Sequence, residues 1–287
     1  MSSPRRAVLL SLALSGLLAC AASRSAEPAS QAPQHVMSLS LCTDTLLLEL
    51  LPLNRIASVT YFSLKPSNSF LWQQASKVPI NYGGAEEVFA QKPDFVLAGT
   101  YSTPATRMLI KKAGIPMLEV PPANDFEEIR AITRSVAHAL GQDAVGKGLI
   151  AKMDSTLREL DATKPRRIIR VAGWNGGGSV PGKGTLFDSI LTAAGGVNIA
   201  AEEGVNDNGF DLEQLLRTRP DVLAYGDDAT TSPGLNTDRA LHPVILKLYA
   251  GRRISFPSAL YSCGLVQSAD AAVALRASLL EAVASEH

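Results

Sequence analysis

The chain has 287 residues, 46% of them hydrophobic, enough to bury the core of one large or two modest domains. Its 27 Lys and Arg balance its 27 Asp and Glu, so no net field or basic run suits a nucleic-acid groove. The composition is that of an ordinary globular protein.

Arg5 and Arg6 precede an apolar run from Ala7 to Ala19, too short for a stable membrane anchor but right for a secretory signal. The run ends in Leu17-Leu18-Ala19-Cys20, which resembles the lipobox of bacterial lipoproteins, where the Cys is acylated. Cleavage after Ala21 is the ordinary alternative. Residues 1–20 are therefore expected to be a signal peptide of lipoprotein type, directing the chain to the periplasm. Residues 21–34, rich in Ala, Ser and Pro, read as a flexible tether.

From His35 onward, short β-rich runs alternate with helical patterns. The expected strands are HVMSLSL (from His35), RIASVTY (Arg55), DFVLAG (Asp94) and PMLEV (Pro116), then IIRVAG (Ile168), DVLAYG (Asp221) and RISFP (Arg253). Apolar strands separated by helices imply parallel sheets covered on both faces. Two such sets imply two lobes, residues 35–141 and 165–287. Between them Val145, Leu149, Met153, Leu157 and Leu160 form one helical stripe, stopped at Lys164-Pro165. One long helix, residues 142–164, is expected to join the lobes with no second crossing.

The chain also repeats itself. EEVFAQKPDFVLAG from Glu86 and EQLLRTRPDVLAYG from Glu213 each place a Glu in the first turn of a short helix, end that helix at a basic residue and Pro, and lead through Asp into a buried strand.

This ordered set, from VMSLSLCTDTLLLELL through the paired KPDFVLAG and RPDVLAYG units to RISFPSALYSCG, resembles the periplasmic binding proteins of ABC importers for cobalamin, ferric siderophores and haem. The resemblance implies an α/β fold of two Rossmann-like lobes with parallel sheets, joined by a rigid helix, with ligand held in the cleft between them. It implies binding and delivery rather than catalysis, a monomer, no catalytic residues and no resident metal or cofactor. It also implies that Glu86 and Glu213 dock on the membrane permease. The helix dipole alone favours a Glu in a first turn, by about 0.3–1 kcal/mol; the matched pair is what favours docking.

Open α/β sheets bind ligands at the carboxyl ends of their strands. The loops expected there offer Cys42, Thr43, Asp44, Tyr61, Phe62, Tyr82 and Tyr101 from the first lobe. The second offers Trp174, Asn175, Phe210, Tyr225, Tyr261 and Cys263. Eight of the chain's aromatic residues fall in this set, which suits a large, rigid metal chelate. Few cations accompany them, which favours a corrinoid such as cobalamin over an anionic ferric siderophore. A haem carrier, or a two-lobed enzyme or metal-cluster scaffold of similar fold, is the alternative. GGSVPGKGT from Gly177 imitates a phosphate-binding loop, but Gly184 stands where the motif needs Ser or Thr. For Cys42 and Cys263 the readings, in order, are simple burial, a role facing the cleft, and a disulfide between the lobes.

Overall fold

The computed structural model describes residues 32–175, 178–202, 204–205, 208–226, 235–256 and 258–284. The expected signal, Cys20 and most of the tether lie outside the described residues. Residues 32–34, assigned to the tether from sequence, are already fixed to the domain. The Arg55 Nε donates to the Pro33 carbonyl at 2.9 Å, and Asp94 accepts from the Gln34 amide at 2.6 Å.

The first lobe runs β1 (Val36–Ser38), α1 (Leu41–Leu50), β2 (Ile56–Thr60), α2 (Trp72–Ala75), β3 (Ile80–Asn81), α3 (Ala85–Gln91), β4 (Phe95–Gly99), α4 (Pro104–Lys112), β5 (Met117–Val120) and α5 (Phe126–Ala139). Its sheet is wholly parallel in the order β3-β2-β1-β4-β5. Helix α6 (Asp143–Ala162) leads to the second lobe. There follow β6 (Ile169–Gly173), β7 (Gly178–Ser179), α7 (Leu186–Ala194), β8 (Gly196–Asn198), β9 (Asn208–Phe210), α8 (Leu212–Thr218), β10 (Val222–Gly226), α9 (Leu235–Ala240), α10 (Pro243–Leu248), β11 (Arg253–Phe256), α11 (Ser258–Tyr261) and α12 (Ser268–Ala284). This second sheet is parallel in the order β11-β10-β6-β8, while β7 and β9 pair apart from it, antiparallel.

Each sheet is covered on both faces, as continuous apolar strands require. In the first lobe one face packs Val36, Leu47 and Leu97 against Ile129 and Val136 of α5; the other packs Met37 and Val96 against Val88 of α3 and Ile110 of α4. In the second, Val171 and Val222 meet Leu191 of α7 and Leu275 of α12, while Leu223 and Ala172 meet Leu215 and Ile245. Among the described residues no helix is long and apolar enough to cross a membrane.

Three sequence readings need correction. The stripe of α6 is turned: Val145 is 39% exposed, whereas Gly146 and Ile150 are buried. Gly146 lies so close to α5 that a Cβ there would come within 2.5 Å of the Ala137 Cβ, so the missing side chain sets the contact face. Second, Cys42, Thr43 and Asp44 belong to the first turn of α1, capped by Ser40, rather than to a loop. Third, α6 is not the sole junction. After α11 the chain returns to the first lobe, where Cys263, Leu265 and Ala269 join its core and Gly264 packs against the Ala123 carbonyl.

Candidate functional site

Every strand of the first sheet ends toward one cavity of about 800 Å³. Leu39 to Thr43 follow β1, and Gly99 ends β4 with Thr100 to Thr103 following it; these are the two strands at which the sheet order reverses. Such a reversal opens a crevice by construction. Phe62 follows β2, Tyr82 and Gly83 follow β3, and Val120 ends β5 with Pro121 to Asn124 following it. The opposite wall is supplied by Pro181, Thr185 and Leu186 and by Tyr261 to Leu265. Among the described residues that line it there is no Lys, Arg, His, Asp or Glu. The size is that of a small-molecule site, and the polar groups are hydroxyls, backbone amides and the Asn124 amide.

The structure divides the residues expected from sequence. It brings Cys42, Thr43, Phe62, Tyr82, Tyr101, Tyr261 and Cys263 to the cavity. Tyr101 is 89% and Tyr82 71% exposed at its mouth, so their rings are free to meet a ligand. Tyr61 stands behind this rim: it stacks on Tyr82 at 5.1 Å between ring centroids and touches Phe62 at 4.1 Å.

The others fall elsewhere. Asp44 is wholly buried on the far side of α1, where its carboxylate accepts from the Thr60 amide at 3.0 Å and the Ser63 hydroxyl at 2.7 Å. Burial pushes its carboxyl up to about 6, against the opposing pull of those donors. It fastens β2 to α1 and cannot meet a ligand. Trp174 turns into the second lobe and packs edge-on to Phe210, with 6.2 Å between centroids; both are buried. Tyr225 is buried too, its hydroxyl donating to the Ala240 carbonyl and its phenol pushed up to about 12 by burial. Asn175 is exposed and lines no part of the cavity. The C-terminal wall therefore comes from Pro181, Thr185 and Leu186 and from the Tyr261 segment; the first three were missed in the sequence because Pro, Thr and Leu carry no chemical signature. Of the imitated phosphate loop, Gly176 and Gly177 lie outside the described residues.

Cys42 and Cys263 form a disulfide, with their Cα atoms 5.4 Å apart, and both line the cavity. This reverses the order of the sequence readings: the bridge ranked last is present, and neither residue offers a thiol. The physical reason is the second junction, which carries Cys263 out of its own lobe to the first turn of α1. Among the described residues no group of three or more His, Cys, Asp or Glu is placed to hold a metal ion.

Glu86 and Glu213 are both exposed, each the second residue of a seven-residue helix, α3 and α8. Glu213 pairs with Arg217 at 2.9 Å. The neighbouring Glu87 accepts from the Tyr82 and Gly84 amides at 2.9 and 3.0 Å, so the start of α3 abuts the cavity rim.

The sequence matches the periplasmic binding protein family over residues 38–238. A protein of Halobacterium salinarum named cobalamin-binding protein is 23% identical over 222 residues, covering 72% of this chain; the chain spans 58% of the length of that relative. The fold superposes on the apo periplasmic heme-binding protein RhuT of Roseiflexus sp. RS-1 with a TM-score of 0.72 at 22% identity, covering 87% of this chain and 98% of that one. It superposes on the periplasmic vitamin B12 binding protein BtuF of Vibrio cholerae with a TM-score of 0.64 at 16% identity, covering 88% and 98%. With two parallel-sheet lobes, a cleft at their strand ends and a family match across most of the sequence, the chain belongs to the periplasmic binding protein family.

Proposed function

We propose that the cleft captures a corrinoid, cobalamin or a close analogue, outside the cytoplasm and delivers it to an inner-membrane permease through Glu86 and Glu213. The observation that carries this reading is the uncharged lining. An anionic ferric siderophore calls for cations, and haem calls for cations at its propionates and a basic ligand at its iron. The described wall supplies no cation and no His, and burial pushes the Tyr261 phenol up, away from the ionised form iron prefers; the exposed phenols of Tyr82 and Tyr101 are what make haemin the competing ligand to test. A corrinoid instead presents a broad apolar face and a rim of neutral amides. Aromatic rings, hydroxyls and backbone amides match both without a buried unpaired charge. The name of the Halobacterium relative agrees with this choice. The Cys42–Cys263 disulfide fits an oxidising compartment.

Calorimetric titration of the mature chain with cyanocobalamin, cobinamide, haemin and a ferric catecholate siderophore tests the reading. One-to-one binding of the two corrinoids, tighter than of either iron chelate, is the expected result. Binding of haemin or the siderophore with the corrinoids silent overturns it.

A further inference from the structure

We propose that Phe89 and Leu216 are matched apolar anchors of the permease-docking face, so that the partner offers, twice and about a two-fold axis, a cationic side chain beside an apolar pocket. This rests on the docking role proposed for Glu86 and Glu213.

The duplicated stretch puts Phe89 three residues after Glu86 and Leu216 three residues after Glu213. At that spacing the two side chains of a pair are neighbours on one helix face. Phe89 is 42% and Leu216 38% exposed, while the residues just before them, Val88 and Leu215, are completely buried and supply the helix's contact with its own sheet. The outward apolar residue is therefore not needed to hold the helix down. A lone exposed apolar side chain needs no explanation. An exposed apolar side chain at the same position of two equivalent helices, each beside an exposed carboxylate, does.

The partner's chemistry follows from complementarity. A carboxylate selects a cation, but an exposed ion pair contributes little affinity, whereas an apolar side chain seated in a pocket is the usual energetic centre of an interface. Two footprints of the same layout on one chain fit a partner built from two equal halves. The footprints also differ. Arg217 neutralises Glu213, whereas Ala90 holds the corresponding place after Glu86, and among the described residues no ion pair reaches Glu86. Phe89 is larger than Leu216 as well, so the footprint on α3 is the stronger of the two.

The test uses the permease–ATPase complex from the same cells, reconstituted in lipid vesicles. ATP hydrolysis is followed against the concentration of the mature chain. Phe89→Ser and Leu216→Ser are each expected to raise the half-maximal concentration about tenfold, Phe89→Ser the more, with melting temperatures unchanged. Ile168→Ser, at a 70% exposed position at the end of the second sheet opposite the cleft, should have no effect. If both serine variants stimulate like the parent while Glu86→Lys does not, the apolar anchors are overturned and carboxylate docking stands. If Glu86→Lys and Glu213→Lys also stimulate like the parent, the docking reading falls with them.

Discussion

Lys92 and Arg219 are the two non-glycine residues held at positive φ among the described residues, at 49° and 47°. They occupy the same place in the two copies of the repeat, between a seven-residue helix and Pro-Asp. The following proline disfavours the right-handed helical region, and the left-handed turn swings the next residue onto the sheet. There the Asp94 amide donates to the His35 carbonyl at 3.0 Å, and its carboxylate accepts from the His35 amide at 2.9 Å. Asp221 does the same to Arg170, at 2.7 Å in both directions. The repeated Pro-Asp is thus a clasp that aligns β4 on β1 and β10 on β6, a structural role beside the docking role proposed for the Glu. The left-handed conformation costs a side-chain-bearing residue about 1–2 kcal/mol, and glycine loses part of that gain to entropy. Lys92→Gly should therefore be neutral to about 1 kcal/mol stabilising, while Asp94→Ala should lose about 1–2 kcal/mol. Urea unfolding measures both; a Gly variant destabilised like a mid-helix glycine would contradict the turn.

Helices α1, α6 and α12 meet around a small cavity of about 80 Å³, lined by Glu49 with Lys152 and Asp270 as its charged neighbours. Glu49 is half-buried as a residue, but its Oε2 is enclosed without a hydrogen-bond partner, as is the Oε1 of Gln267. Burial pushes the Glu49 carboxyl from 4.5 up to about 7, Lys152 opposing and Asp270 adding to the rise. Between those values the folded chain holds more protons than the unfolded one. The contribution to stability is thus full below pH 4.5 and is lost as pH rises through 7, on the order of 3 kcal/mol in all. Glu49→Gln mimics the protonated acid and should flatten that dependence, gaining on the parent at pH 8 but not at pH 4. Parallel melting profiles of the two proteins across this range would contradict it. This junction was invisible in the sequence, because a Glu in a leucine-rich helix reads as its solvated face. The long strands were legible from their continuous apolar runs. The short strands β3 and β8 and the pair β7 and β9 were not, being too brief to show a period. The turned face of α6 was hidden because a glycine, with no hydrophobicity to read, decides it.

At the scale of the whole molecule the lobes are held by α6, by the returning segment at Cys263 to Ala269, and by the Cys42–Cys263 disulfide. A hydrogen bond from the Ser189 hydroxyl to the Asn124 carbonyl at 2.9 Å adds to these. A bridge spanning 221 residues could not be read from sequence, since spacing says nothing about which loops a cleft brings together. The first-lobe wall of the cavity was legible from the strand-end rule apart from Asp44 and Tyr61, whereas of the second-lobe residues read from sequence only Tyr261 and Cys263 line it, because buried aromatic residues look the same as cavity-facing ones. Opening the disulfide should lower stability by about 2–4 kcal/mol and weaken ligand binding, because it forms part of the cavity wall and fixes its width. Denaturant unfolding and ligand titration of the Cys42→Ala, Cys263→Ala double variant measure both; parental values for the two would reduce the bridge to an incidental contact. Native mass spectrometry of the mature chain purified from its own cells reads directly whether this cleft, uncharged among its described lining residues, holds the one corrinoid proposed for it. A one-to-one complex with the added mass of a corrinoid is the expected result. A haem or a ferric siderophore in its place, or a chain that stays bare when offered cyanocobalamin, would contradict it.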